Sequence, residues 1–508
     1  MDSLSATLSA PRQGLAGWAG LLLAAALSAH ADPPVPAMLL DAVVTTESFS
    51  KPVAYGDGLN GLSFQQDAVL SHKGWQYVTY YNAARHVCVA RRKLPAGAWQ
   101  ILELKDYTQT EDDSHNTISL GICSQDGTIH LSFDHHDNDL HYRKSVAGLA
   151  TSPDSSAWDA SRFGVTTNQL TGARLTTITY PRFVSEPSGK LLMEFRIGSS
   201  GEGDSYLYEY DGATRKWSQI GSDSRYLNGV GNNAYINGLD YGTQGRLHVT
   251  WCWRETPDVV SNHDLLYAYS DDDGRTWKNN AGTSVGQTGS KYISPSTPGI
   301  MAWSIPQNSG IVNQEAQGAD PQGRIHVFIR TDSTLPGGTQ KPFHTHFWRD
   351  ESGKWTRINT SIPSGSPTGD RGKILFDQEG NAFALLPGFR IASASAAQKW
   401  TDWKITYTGN SSQRTMEPLF DRARLVEEGV LSVFWQEITT TGKATLRIQD
   451  FQLGSVTALA PKPSPDQPHK PVQGRFLSRG WSWLRNATAF GLDGRAQVEN
   501  RRVPRTIH

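Results

Sequence analysis

The sequence predicts an all-β chain folded as a seven-bladed β-propeller. Three observations predict it: a hairpin unit that recurs seven times, abundant glycine (48) and tryptophan (16) in 508 residues, and no long amphipathic helical pattern. In each unit a tight turn ending in glycine opens a strand of alternating apolar residues. The glycines are Gly74, Gly127, Gly189, Gly245, Gly323, Gly380 and Gly429. Third strands with a tryptophan follow several units, as in Leu265 to Trp277 and His346 to Trp355. Within the first of these, Ser270-Asp-Asp-Asp-Gly-Arg-Thr-Trp277 has the Ser-x-Asp-x-Gly-x-Thr-Trp form of an Asp-box turn. Three or four strands per unit, at uneven spacing, suit blades closing into a ring better than a sandwich or a strictly periodic β-helix.

The flanks read differently. A polar stretch with Arg12 precedes an apolar run from Leu15 to Leu27 and then Ala29-His30-Ala31, a small-x-small cleavage pattern. Residues 1–31 therefore read as a signal peptide and predict a secreted or periplasmic protein without stable membrane insertion after cleavage. The propeller is expected over 32–458, a proline-rich linker over 459–471, and a basic, disordered tail over 472–508. From Pro461 onward there are nine Lys/Arg against three Asp/Glu, whereas the net charge of the chain is −1. A neutral propeller carries no electrostatic signal for nucleic acid. Only three cysteines, Cys88, Cys123 and Cys252, are present and they are scattered. That excludes a disulfide framework and leaves stability to a large core, here expected in a monomer.

Polar residues collect at one end of the hairpins. The turn at Gly127 brings His115 towards His135, the turn at Gly189 brings Tyr180 towards Arg196, and the turn at Gly245 brings Tyr235 towards Cys252-Trp253-Arg254. Three consecutive units thus present His/His, Tyr/Arg and Tyr/Arg pairs on one face near the axis. Alone, each residue reads as a strand-end or core-flanking side chain; together they define a site.

That set suits β-elimination at a uronic acid. A guanidinium such as Arg196 neutralises the carboxylate so that C5 can lose its proton, and His and Tyr supply the base and the acid. Hydrolysis of a glycosidic bond calls for two facing carboxylates. The same loops offer few, namely Asp112, Asp113, Asp134 and Asp137.

Asp113-Ser-His115-Asn-Thr-Ile-Ser-Leu-Gly, Phe133-Asp-His135-His136, Thr179-Tyr180-Pro-Arg-Phe and Phe195-Arg196-Ile-Gly together resemble the BNR-repeat propeller lyases, the ulvan lyases of polysaccharide lyase families 24 and 25. The resemblance runs from about Val43 to Leu453. It implies a seven-bladed propeller acting on ulvan, a sulfated rhamnose–uronic acid polysaccharide, with no organic cofactor. It also implies that His115 and Tyr180 are catalytic, with base and acid not distinguished. Arg196 then neutralises the carboxylate, His135 is the second histidine with the adjacent His136 as its alternative, and Tyr235 contacts substrate with Tyr241 as the fallback. Members of the family can carry a structural metal, so Cys252 and His263 are candidate zinc ligands, with His344 or His346 of the following unit. A buried free thiol and a turn histidine are the plainer reading.

Three other activities compete. One is an exo-acting lyase that releases rhamnose from glucuronate on plant gums. The others are a sialidase-like hydrolase, which one clear Asp box and no Arg-Ile-Pro motif disfavour, and a non-catalytic carbohydrate-binding propeller.

Overall fold

The computed structural model describes residues 32–332, 342–365, 370–410 and 413–454. The signal segment 1–31, the linker 459–471, the tail 472–508 and the last residues assigned to the propeller lie outside the described residues.

The described strands form six sheets, the largest of which has two antiparallel parts that are numbered separately here. Sheet 1 holds Val69–His72, Trp75–Tyr81, His86–Lys93 and Gln100–Thr108, and sheet 2 holds Ile118–Ile122, Ile129–Phe133 and Tyr142–Lys144. Sheet 3 is built on Ile178–Ser185, Leu191–Ser199 and Glu202–Asp211. Sheet 4 is built on Asn233–Tyr241, Leu247–Arg254 and Asn262–Ser270. A single parallel bridge, Gly203 to Asn233, joins these two. Sheet 5 runs from Ala316–Ala319 to Trp355–Pro363 and sheet 6 from Lys373–Phe376 to Lys404–Thr408. Sheet 7 combines Leu419–Phe420, Val430–Gln436 and Gly442–Gln452 with the first described strand of the chain, Ala37–Ser50. That strand carries no glycine-led turn of its own, and its role in closing the last sheet is not visible in the repeats.

Hydrogen bonds tie the first strand of each sheet to its neighbours. Leu120 N–H donates to the Asp67 carbonyl, Ser119 Oγ to Pro181, Arg182 to Ile236, and Gln317 to the Asp240 carboxylate. Arg371 spans the carbonyl of Asn313 and the carboxylate of Glu417, and Ser71 donates to Asp421. These links join successive sheets, as in the propeller-like all-β fold that the repeats predict. Apolar side chains fill the gaps between sheets; Val44, Val69, Val78, Tyr80, Leu419, Phe434 and Ile448 form one such cluster between sheets 7 and 1.

All seven unit glycines adopt positive φ, between 66° and 86°. Six sit in tight turns. Gly429 instead caps the helix Arg422–Glu428, so a helix replaces the seventh turn. Its opening residue, Asp421, accepts from Arg424 N–H as N-cap and is fully buried. The Asp box closes as its sequence requires. Asp272 accepts from Ser270 Oγ, Thr276 N–H and Thr276 Oγ1, and Trp277 is buried beneath it. Among the described residues no helix is long and apolar enough to cross a membrane.

Candidate active site

The Asp113-Ser114-His115 segment lies just ahead of the first strand of sheet 2. Asp113 Oδ1 accepts from the His115 backbone N–H at 2.9 Å and faces His115 Nδ1 at 2.5 Å. Its other oxygen, Oδ2, faces His136 Nδ1 at 2.7 Å. One carboxylate therefore holds two imidazoles, which stack with centroids 4.0 Å apart and planes 16° apart. Phe64, from the turn Ser63–Gln65 ahead of sheet 1, stacks on His115 at 5.5 Å, and Tyr55 meets it edge-on at 5.2 Å. With Nδ1 committed to Asp113, Nε2 is the His115 nitrogen left to meet a ligand.

Burial raises the Asp113 carboxyl, but the bonds from His115 and His136 outweigh it and hold the group well below the usual carboxylate range. Burial lowers His115 below 6.5 against the pull of Asp113, so its ring is neutral at neutral pH.

Tyr180 sits at a bulge in the first strand of sheet 3, where the register slips between Thr179 and Arg182, and has φ of 59°. Positive φ is unusual for an aromatic residue and turns the ring out of the strand alternation. The ring lies 5.6 Å from His115, 5.4 Å from Phe64 and 6.0 Å from Tyr235 between centroids. Burial, reinforced by Tyr235, raises the phenol well above its ordinary value despite nearby guanidinium groups. It keeps its proton and is able to donate it.

Arg196 projects from the next strand, 5.1 Å from the centre of the Tyr180 ring. It pairs with Asp137, donates to Thr179 Oγ1 at 2.9 Å and reaches Tyr235 OH at 3.5 Å. Gly203 on the neighbouring strand makes room for it: a Cβ there would lie 2.8 Å from Arg196 Cδ. Tyr235 lies opposite Cys252 in sheet 4, as its hairpin predicts, and Arg254 lies over its ring at 5.1 Å. His115, His136, Tyr180, Arg196, Tyr235 and Arg254 line one cleft of about 630 Å³.

His135 does not line the cleft. Asp134 takes φ of 63° immediately before it, and the two adjacent histidines part company. His135 is buried against Ser132 and His141, and burial lowers it to about 3, while His136 takes the place beside His115. The fallback Tyr241 is likewise elsewhere, with its hydroxyl on Asp273.

The candidate zinc ligands are not brought together. Cys252 belongs to an apolar cluster with Leu62, Phe64 and Tyr267, and burial pushes its thiol up to about 12. His263 engages Asp264 at 2.9 Å and Glu255 at 3.3 Å, and His344 is stacked on Phe328 inside sheet 5. His346 faces His326 at 2.9 Å. These residues do not fit a tetrahedral zinc site. Among the described residues the one group able to offer three ligand atoms within 4.8 Å of one another is Asp113, His115 and His136.

Fold and cleft together define a propeller-like all-β chain with a His/Tyr/Arg cleft at one end of adjacent sheets. Residues 75–362, more than half of the chain, match the model of the BNR repeat-containing family, and the chain belongs to that family. An ulvan lyase, long isoform, of Alteromonas sp. (strain LOR) is 27% identical over an alignment of 449 residues that covers 77% of this chain and 43% of that protein. The short isoform from the same strain is 28% identical over an alignment of 287 residues that covers 46% of this chain and 54% of its own. The chain thus spans about half the length of the curated relatives it matches. Among solved structures, the polysaccharide lyase Uly1 superposes with a TM-score of 0.66 at 19% identity, covering 82% of this chain and 99% of that one. A ulvan lyase of family PL25 gives 0.56 at 13% identity, covering 82% and 98%. At these identities the likeness to the two structures is one of fold.

Proposed function

We propose that this protein is a polysaccharide lyase that cleaves ulvan or a closely related uronate polysaccharide by β-elimination. The observation that carries the reading is the convergence on one cleft of a carboxylate-held neutral imidazole, a buried protonated phenol and a guanidinium. The names of the curated relatives support the choice of polymer.

Arg196 is placed to take the uronate carboxylate, which lowers the cost of negative charge developing at C5. His115, held through Nδ1 by Asp113, accepts the C5 proton at Nε2. The electron pair of the C5–H bond forms the C4–C5 double bond, the C4–O4 bond breaks, and Tyr180 protonates the departing O4. Solvent then returns the proton to Tyr180 and removes the one on His115. The product carries a 4,5-unsaturated uronate at its new non-reducing end. Hydrolysis fits poorly, because Asp113 is occupied by two imidazoles and Asp137 by Arg196.

Export of the protein is part of this reading, supported by Arg12, the run Leu15 to Leu27 and Ala29-His30-Ala31. Incubation with ulvan, read by the ultraviolet absorbance of unsaturated uronates and by mass spectrometry of the ends, tests the activity. Products with saturated ends alone would reject elimination.

A further inference from the structure

The cleft holds three guanidinium groups, and they are not equivalent. Arg196 is paired with Asp137, and Arg371 lies 3.0 Å from Glu417. Arg254 has no carboxylate within ion-pair distance among the described residues, although it is buried to within 9% of full exclusion. The nearby acids are engaged elsewhere: Glu255 faces His263, and Asp258 accepts from Val260 N–H at the start of the turn Val259–Ser261. Arg254 donates from Nε to the Thr256 carbonyl at 3.1 Å and from Nη2 to the Pro257 carbonyl. Those two bonds and the face of Tyr235 fix the plane of the guanidinium and leave Nη1 without a hydrogen bond to the described residues. A buried cation without a counter-ion costs stability, and a rigid one is preorganised for an anion that arrives from outside.

The placement says which anion. Arg196 touches the hydroxyl end of Tyr235 and Arg254 lies over its ring, so the two cations are a tyrosine ring apart. Arg254 also belongs to sheet 4, one sheet further round the ring than Arg196. We propose that Arg254 binds an oxyanion substituent, a sulfate ester or a carboxylate, on the sugar next to the reacting uronate. This rests on the elimination reading, in which Arg196 is reserved for the reacting carboxylate. Arg254 then sets specificity for charge along the polymer, and the planar fork of its guanidinium matches either oxyanion.

The test compares wild type, Arg254→Met and Arg254→Lys on ulvan and on the same polymer after chemical desulfation. Arg254→Met is expected to raise KM about 10- to 100-fold on ulvan with kcat little changed, the loss of a charge-assisted bond. Arg254→Lys, which keeps the charge but not the fork, should recover part of it; if Arg254→Met does not fold, the KM rise in Arg254→Lys carries the test. Convergence of wild type and variant on desulfated polymer assigns the contact to sulfate, and a gap that persists assigns it to a neighbouring carboxylate. An unchanged KM, or a fall in kcat at constant KM, overturns the proposal and makes Arg254 a support for Tyr235 or the reacting centre. If wild type releases no unsaturated ends, the elimination reading fails by itself. Retardation in a gel containing ulvan then still decides: Arg254→Met must migrate faster than wild type, and equal mobility overturns the proposal.

Discussion

Asp113 bridges His115 and His136, and that single carboxylate sets the tautomer of both rings. Asp113→Asn should therefore lower kcat by about 10²–10⁴, as the imidazole loses its orientation and the stabilisation of its charged form. The sign of the accompanying pH effect follows from the forces on His115. Burial lowers its pKa and the Asp113 bond raises it, so losing the carboxylate should move the acid limb of kcat/KM to lower pH. A limb that stays in place would detach Asp113 from the base. Tyr180→Phe removes the hydroxyl alone and keeps the packing against Phe64 and Tyr235. Single-turnover rates should fall about 10²–10⁴ with KM little changed; near-normal turnover would make the tyrosine structural. At this scale the sequence named His115, Tyr180, Arg196 and Tyr235, because each follows from hairpin pairing. It placed the second histidine at His135, where the structure has His136, since the choice depends on the backbone of Asp134. It counted Asp113 and Asp137 only as scarce carboxylates, not as partners of His115 and Arg196. It also passed over Phe64, which arrives from a turn outside the hairpins.

Between single residues and the ring lie the sheets and the helix Arg422–Glu428. Asp421 caps that helix and also accepts from Ser71 N–H at 3.0 Å, Ser71 Oγ at 2.5 Å and Gln76 Nε2 at 2.8 Å, so it joins sheet 7 to sheet 1. Asp421→Ala leaves those donors buried without an acceptor. It should cost about 3 kcal/mol or more in denaturant unfolding, with part recovered in Asp421→Asn. A loss within about 0.5 kcal/mol would show that the contact is replaced by water. Six of the seven turns were legible because a glycine and a change to alternating apolar residues are local signals. The helix before Gly429 was not, because its seven residues are too few to show a helical period. The strand Ala37–Ser50 escaped for another reason: alternation reveals a strand but not a partner some 400 positions away.

For the molecule as a whole, buried histidines govern the response to acid. Burial lowers eight of them, His72, His115, His130, His135, His248, His326, His344 and His346, with His135, His248 and His344 at about 3. In the unfolded chain each titrates near 6.5, so below that pH the unfolded state binds more protons and folding stability falls. Each group contributes a slope of about 1.4 kcal/mol per pH unit between its two values. Burial acts oppositely on Asp67, raised to about 6, Glu186 to about 7 and Glu315 to about 8, and these offset part of the loss in the same window. The histidines outnumber them. Melting temperature should therefore drop as pH falls from 7 to 5, and a flat profile by calorimetry would contradict the burial of the imidazoles as neutral rings.

The pairing of Ala37 with Gln452 also has a consequence in time. Synthesis supplies the closing strand first and the edge it must join last, so Ala37–Ser50 waits unpaired while the rest of the propeller is made. Held open in this way, the chain exposes two strand edges at once, that of Ala37–Ser50 and that of Gly442–Gln452, and each is a template for a second molecule. The race between closing on itself and joining a neighbour is one of concentration. Dilution favours the ring, and crowding of unfinished chains favours exchange of the first strand between copies.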